Sequence, residues 1–182
     1  MWYNVVGDFM RIISGKYKGK KLEGFNLDGT RPTMSRVKES LFGMIQNYIS
    51  ESTVLDLFAG SGALGLEAIS NGTSKCYLVD NNVEAIKIIK KNIINMDDDI
   101  NVVHSDYKKF LKETNEVFDI IFLDPPYRAD LLDKALRIIE ERNLLKEDGI
   151  VVCEYEIGNP KTNLNLIKEK SYGLKTIKIF KK

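Results

Sequence analysis

The segment Thr53-Val54-Leu55-Asp56-Leu57-Phe58-Ala59-Gly60-Ser61-Gly62-Ala63-Leu64-Gly65-Leu66-Glu67 restricts the fold of this chain more than any other. A short apolar strand runs into a glycine-rich turn and then a helix, which lets backbone come close to a bound ligand. The same alternation continues downstream. Hydrophobic periodicity predicts strand 53–57, helix 62–71, strand 75–80, helix 82–95, strand 100–104, a short helix 106–112, strand 118–123, helix 129–142 and strand 149–155. This pattern is that of an open α/β sheet with mostly parallel strands. Residues of about 164–181 read as two more strands with Tyr172-Gly173 at the turn. Ahead of the alternation, 11–14 and 20–24 read as a small basic hairpin. A helix of about 34–49 then places Val37, Leu41, Met44, Ile45 and Tyr48 on one face.

Gly60, Gly62 and Gly65 fit the dinucleotide pattern G-x-G-x-x-G, and Asp80 stands where a ribose-binding acid belongs. A nicotinamide or flavin enzyme satisfies those glycines, and so does a tight turn with no ligand. Asp56 argues against a dinucleotide, because a carboxylate there repels a pyrophosphate over the helix N-terminus. It favours a ligand carrying an ammonium and a sulfonium, as S-adenosylmethionine does. Open α/β sheets bind ligands at the carboxyl ends of their strands. Asp56, Asp80, Asp106 and Asp124 each end or follow a predicted strand, so all four are expected along one rim. Asp80 with Asn81 is expected to hold the ribose, and Asp106 with Ser105 or Tyr107 the adenine amine. Phe58 and Ala59 are expected to shape the methionine end beside the Gly60-Ser61-Gly62 turn. His104, the only histidine, reads as a satisfied core residue before a catalytic one.

Asp124-Pro125-Pro126-Tyr127 follows the apolar run Asp119-Ile120-Ile121-Phe122-Leu123. Proline lacks an N–H, fixes φ and pushes its predecessor into an extended conformation. The corner is therefore stiff and offers acceptors: the Asp124 carboxylate and the carbonyls of Asp124 and Pro125. It suits an exocyclic amine with two N–H donors, with Tyr127 as a flat face for the ring that carries it. The plain alternative is a rigid turn capped by Asp.

At 182 residues, 43% hydrophobic and 29% charged, the chain fits one globular domain with a well-buried core. No apolar run approaches the roughly 20 residues of a transmembrane helix, and no basic-then-apolar secretory layout opens the chain. Cys76 and Cys153 fall in predicted buried strands and read as reduced core residues of a cytoplasmic protein. One histidine and no cysteine pair at ligand spacing speak against a metal site. The net charge of +1 hides an uneven layout. Arg11, Lys16, Lys18, Lys20, Lys21, Arg31, Arg36 and Lys38 face only Glu23 and Asp28 across the N-terminal stretch, and the last stretch is lysine-rich too. Such segments can join into a phosphate-binding face, or simply be solvated. Lys16-Tyr17-Lys18-Gly19-Lys20-Lys21 is the better candidate, with Tyr17 able to stack on a base.

Together these motifs resemble class I S-adenosylmethionine-dependent methyltransferases acting on an exocyclic amine. The wider set Met10-Arg11-Ile12-Ile13-Ser14-Gly15, Thr30-Arg31-Pro32-Thr33, Arg36-Val37-Lys38-Glu39-Ser40-Leu41-Phe42 and Leu55-Asp56-Leu57-Phe58-Ala59-Gly60-Ser61-Gly62 is similar to the RsmD family, over essentially Met10 to Phe180. Ser35 stands where that family usually has Asp, and residues 1–9 precede the family's usual start. The resemblance implies a Rossmann-like, mostly parallel seven-stranded sheet closed by an antiparallel C-terminal hairpin. It implies methylation of the N2 amine of a guanine in small-subunit (16S) ribosomal RNA, free or within an assembling 30S particle. Domain organisation is then an extension at 1–9, an RNA-binding appendage at 10–50 and a methyltransferase core at 51–182, folded as one domain.

On this reading Asp124 and the Pro125 carbonyl accept the two amine hydrogens, Pro126 stiffens the corner, and Tyr127 stacks on the base. Asp124 is expected to act ionised, by orientation more than as a base. Arg11, Lys16, Tyr17, Lys18, Lys20, Lys21, Arg31 and Arg36 are expected to hold RNA over the pocket, with Arg31 alternatively facing the cofactor carboxylate. Three other readings remain open from the residues alone: adenine-N6 modification of nucleic acid, a nicotinamide-dependent oxidoreductase, and a noncatalytic RNA-binding module.

Overall fold

A computed structural model describes residues 10–24, 35–126, 129–156 and 158–182 of the chain. The expectations on residues 1–9, on Arg31 within Thr30-Arg31-Pro32-Thr33, on the side chain of Ser35 and on Tyr127 lie outside the described residues.

The alternation folds in the order α1 (Ser35–Ile45), β1 (Thr53–Asp56), α2 (Ala63–Ser70), β2 (Lys75–Asp80), α3 (Val83–Asn92), β3 (Asp99–His104), α4 (Tyr107–Glu113), β4 (Phe118–Leu123), α5 (Ala129–Glu141), β5 (Leu145–Tyr155), β6 (Asn165–Tyr172) and β7 (Lys175–Lys181). A short 3₁₀ turn, Gln46–Tyr48, extends α1. Local chemistry sets several boundaries. Asn82 caps α3 by accepting from the Glu84 amide at 2.8 Å, with Lys90 and Lys91 in the last turn to complement the dipole. Asp106 caps α4 through the amides of Lys108 and Lys109.

One seven-stranded sheet runs β3-β2-β1-β4-β5-β7-β6. Strands β1 to β5 pair in parallel, and β7 pairs antiparallel with both β5 and β6. The mostly parallel sheet with an antiparallel C-terminal hairpin is thus what the chain forms. The hairpin folds back so that its second strand, not its first, meets β5. One boundary differs from expectation. Strand β5 begins at Leu145, which pairs with Phe118 before the register jumps to Ile120 opposite Ile150. Asp148 at φ 64° and Gly149 bulge out between these pairings, so a turn-like sequence sits inside a strand.

Helices cover both faces, which explains why β4 is a continuous apolar run with every residue but Asp119 buried. On one face Val37, Leu41, Phe42 and Ile45 of α1 join Leu66 and Ile69 of α2 and Ile86 and Ile89 of α3, over Val54, Phe122, Val152, Ile177 and Ile179 of the sheet. On the other, Leu111 of α4 and Leu132, Leu136 and Ile139 of α5 pack over Leu55, Ile121, Leu123 and Val151.

Residues 10–24 form a hairpin through the Arg11–Lys21 bridge and backbone bonds from Ile12 to Lys20 and from Leu22 to Met10. Ile12 and Leu22 are buried in the same core as α1 to α3. The tether is polar as well. The buried Glu67 carboxylate accepts from the Ile13 and Ser14 amides, each at 2.9 Å, and ion-pairs with Lys38 at 2.9 Å. Lys38 in turn donates to the Arg11 carbonyl at 2.7 Å. One carboxylate thus joins the hairpin, α1 and α2.

Candidate active site

Strand order reverses between β1 and β4, because β2 and β3 lie to one side of β1 and the chain then crosses over to β4. The crevice beyond the carboxyl ends of these two strands is the ligand site of an open α/β sheet. Four of the expected groups meet around it.

The glycine turn leaves β1 with Gly60 at φ 55° and Gly62 at φ 81°, conformations that glycine reaches without strain. Gly65 has another role. A Cβ there would stand 2.2 Å from Leu78 Cδ2, so α2 lies directly against β2. Two acids hold the turn in place. Asp56, 2% exposed, accepts from the Gly65 amide at 3.0 Å, and burial pushes its carboxyl up to about 7 despite that bond. Asp80 accepts from Gly60 at 2.8 Å through one oxygen and from Asn82 at 2.8 Å through the other. Each carboxylate oxygen has a second lone pair, so these bonds orient Asp80 and leave it able to accept from a diol. Asn81 is exposed beside it. Ser61 is buried, its carbonyl held by the Asn92 side-chain amide at 2.9 Å.

Asp106 and Ser105 lie after β3, with the Ser105 hydroxyl turned to the Asp106 carbonyl at 3.1 Å. Tyr107 is buried, its ring 5.5 Å from that of the half-buried Phe58, and its hydroxyl has no hydrogen-bond partner among the described residues. Burial raises the Tyr107 hydroxyl above its usual range. Ala59 is buried next to them, its amide bonded to the Val79 carbonyl at 3.0 Å. His104 departs from expectation. It is exposed, not in the core, and its Nε2 lies 3.0 Å from the Asn81 carbonyl. The alternation that fits a strand buries only one side of it, and β3 is an edge strand.

Asp124 and Pro125 follow β4, half-buried, with Pro126 exposed beyond them. Burial, then the neighbouring Glu154 carboxylate, pushes the Asp124 carboxyl up to about 8, while Lys175 pulls the other way. The carboxyl expected to act ionised thus sits where burial and a second acid favour its neutral form and Lys175 favours the charged one. Sequence reasoning missed Glu154 and Lys175. Glu154 is 3% exposed at the end of β5 and takes an ion pair from Lys175 at the start of β7. The only sequence signal was an acid closing a predicted strand, Val151-Val152-Cys153-Glu154, like the four that were noticed.

The basic residues are spread differently from expectation. Lys16 pairs with Asp98 at 3.2 Å, Lys20 donates to the Ile94 carbonyl at 2.8 Å, and the Lys16 amide bonds to the Ser70 carbonyl. Ser70 ends α2, Ile94 follows α3 and Asp98 precedes β3, so the hairpin tip sits at the end of the sheet opposite the acids. Tyr17 is half-buried, with its hydroxyl donating to Asp98. The structure does not bring this tip to the pocket. Arg11, Lys18, Lys21 and Arg36 are exposed. The C-terminal lysines are mostly engaged: Lys178 with Glu169, Lys181 with Asp148, and Lys182 with Glu147.

Among the described residues no group of three His, Cys, Asp or Glu could hold a metal, and no helix is long and apolar enough to cross a membrane. The donor set suits a cationic organic ligand instead: acids around a glycine turn, two of them raised by burial. This sheet order, with β7 reversed between β5 and β6, is that of the methyltransferase class of open α/β proteins.

A family model described as Conserved hypothetical protein 95 matches residues 10–181. The chain belongs to that family, the RsmD family whose motifs it carries. It is 40% identical to a candidate rRNA methyltransferase of Bacillus subtilis, YlbH, over 95% of this chain and 99% of that one. It is 35% identical to the ribosomal RNA small subunit methyltransferase D of Haemophilus influenzae, over 94% and 93% of the two chains. The solved structure of a candidate Escherichia coli methyltransferase, yhhF, superposes with a TM-score of 0.86 at 30% identity, covering 96% of this chain and 98% of that one.

Proposed function

We propose that this chain methylates the N2 amine of a guanine in small-subunit ribosomal RNA, in the cytoplasm, with S-adenosylmethionine as methyl donor. The observation that carries the reading is the Asp124-Pro125-Pro126 corner beside the glycine turn, at the strand ends where the order reverses. The name of the H. influenzae relative supports ribosomal RNA as the acceptor.

Bound S-adenosylmethionine supplies a methyl on a cationic sulfonium; the amine lone pair bonds to that carbon, the C–S pair stays on sulfur, and the amine loses a proton. The chain's task is placement. The guanine amine is a weak nucleophile because its lone pair is delocalised into the ring. Asp124 and the Pro125 carbonyl, accepting its two hydrogens, favour the pyramidal geometry of the transition state and aim the lone pair. Asp80 and Asn81 hold the ribose, Asp56 keeps the turn in place and favours a cation, and Phe58, Ala59, Gly60, Ser61 and Gly62 line the methionine end. Ser105, Asp106 and Tyr107 bound the adenine. Tyr127 stacks on a base swung out of its neighbours' stack. Arg11, Lys21 and Arg36 are the exposed basic residues proposed to meet RNA, with Arg31 proposed from the sequence alone, and Lys16, Tyr17, Lys18 and Lys20 reached only by RNA that wraps to the opposite end.

The test is transfer of a tritiated methyl onto unmodified small-subunit RNA and onto small-subunit particles, with the product mapped by mass spectrometry. N2-methylguanine at one position supports the reading. Methylation at adenine N6 would replace it with the adenine-specific alternative, and RNA binding with no transfer would leave a noncatalytic module.

A further inference from the structure

The Glu154–Lys175 pair lies at the same rim as Asp124, and strand parity puts all three side chains on one face. Phe122 of β4, Val152 of β5 and Ile177 of β7 point into the core under α1 and α2. Asp124 is two residues beyond Phe122, Glu154 two beyond Val152, and Lys175 two before Ile177, so each points the same way. The β4–β5 register pairs Leu123 with Cys153, which sets Asp124 beside Glu154 on the adjacent strand. In the β5–β7 register Glu154 faces Ile177, which brings Lys175 just above it. Asp56 ends β1 on this face too, its Cβ against Gly65 of α2.

From this cluster we infer that Glu154 and Lys175 are positioning residues for methyl transfer, which set the charge on Asp124 and make it answer to a cation bound in the pocket. The inference rests on the proposed function above and adds two residues to it. Three carboxylates, Glu154 of β5, Asp56 of β1 and Glu156 just past β5, push the Asp124 carboxyl up, and Lys175 of β7 pulls it down. Removing so many carboxylates from water is costly unless each is paired or protonated. Lys175 pairs with Glu154. Burial and these neighbouring acids favour the neutral form of Asp124, whose carboxyl rises to about 8, and to a lesser degree that of Asp56, raised to about 7. A sulfonium nearby adds positive charge, which favours loss of the proton and leaves a carboxylate to accept the amine hydrogens. A thioether supplies none, so spent cofactor loses this attraction.

Opposite charges on the two partners give the inference a distinctive signature. Glu154→Gln removes a negative neighbour and leaves Lys175 facing Asp124, so the Asp124 titration should move down. Lys175→Met removes the cation, so it should move up. Shifts of about one to three units are expected from one close charge. The experiment follows the Asp124 carboxyl by carbon-13 NMR through pH 4–10 in cofactor-free wild type, E154Q and K175M, alongside the acid limb of the single-turnover rate with RNA. Both readouts should move in opposite directions in the two variants, and Lys175→Arg should restore the wild-type position. An ion pair that merely holds two strands together would weaken folding in both variants and leave the titration in place, or move it one way in both; either result overturns the inference. Should K175M fail to fold, a downward shift in E154Q alone still carries the sign, and an unmoved one refutes it. Wild type that transfers no methyl to RNA yet shows opposite NMR shifts would count against the proposed function and not against the charge coupling.

Discussion

Glu67 is the most heavily used acid among those tying the N-terminal segment to the core, and its removal has a calculable cost. Glu67→Ala strands the Lys38 ammonium, which is 3% exposed, with the Arg11 carbonyl as its remaining acceptor here. It also takes the acceptor from the Ile13 and Ser14 amides and from the Ser14 hydroxyl at 3.0 Å. Removing one partner of a buried pair costs about 3–5 kcal/mol. The two amides are only partly buried, so entering water limits the additional loss. A domain of this length loses about 2–4 °C for each kcal/mol, which puts the drop in Tm at about 6–20 °C. Urea denaturation followed by circular dichroism measures the free energy, and hydrogen exchange at Ile13 and Ser14 reports whether the hairpin opens first. Lys38→Met combined with Glu67→Gln should cost less than the two changes summed, by about 0.5–3 kcal/mol of coupling. A loss under 1 kcal/mol in Glu67→Ala, with both amides still protected, would refute the view that this carboxylate holds the hairpin, α1 and α2 together.

Asp80→Ala should weaken S-adenosylmethionine binding by about 1.5–3 kcal/mol, roughly ten- to hundredfold, as charge-assisted bonds are lost; calorimetry on the folded variant checks this. Asp124→Asn should abolish methyl transfer while largely keeping cofactor affinity. Because the Asp124 carboxyl is raised to about 8, the folded chain binds more protons than the unfolded one, and stability falls as pH rises from about 4 to 8. Asp124→Asn should remove part of that fall, seen as a higher Tm than wild type above pH 8 and little difference near pH 4. Gly65→Ala should destabilise by about 1–3 kcal/mol in urea, since its methyl would meet Leu78 inside a packed core. Neutralising Lys16, Lys18, Lys20 and Lys21 together tests how far RNA wraps: contacts flatten the salt dependence by about 0.7 per phosphate, and an unchanged slope confines RNA to the acidic rim's neighbourhood.

The order of elements was legible because the first four strands are short runs that end in or are soon followed by an acid, and the helices between them show their own period. The acids Asp56, Asp80, Asp106 and Asp124 could be assigned to one rim for that reason. What a linear reading could not supply was partnership across the sheet. Glu154 and Lys175 meet only because β7 inserts beside β5, and no local pattern announces that. Glu67 looked like an ordinary helix residue, since its partners lie 54 residues upstream. Lysines at 16 and 20 read as a free basic loop because Asp98 and the Ile94 carbonyl, which hold them, come from distant turns. His104 was placed in the core because edge position is invisible to alternation.

The reversed position of β7 has a consequence for synthesis. Strand β5 presents an open edge to solvent until β7 has been made, because β6, made first, does not pair with it. The acceptor pocket waits on the same event. Asp56, Asp124 and Glu154 are made before Lys175, which comes only at the start of β7. A nascent chain that lacks β7 therefore carries an unfinished sheet and an acid cluster without Lys175. The sheet and the acid cluster are completed together when β7 inserts between β5 and β6.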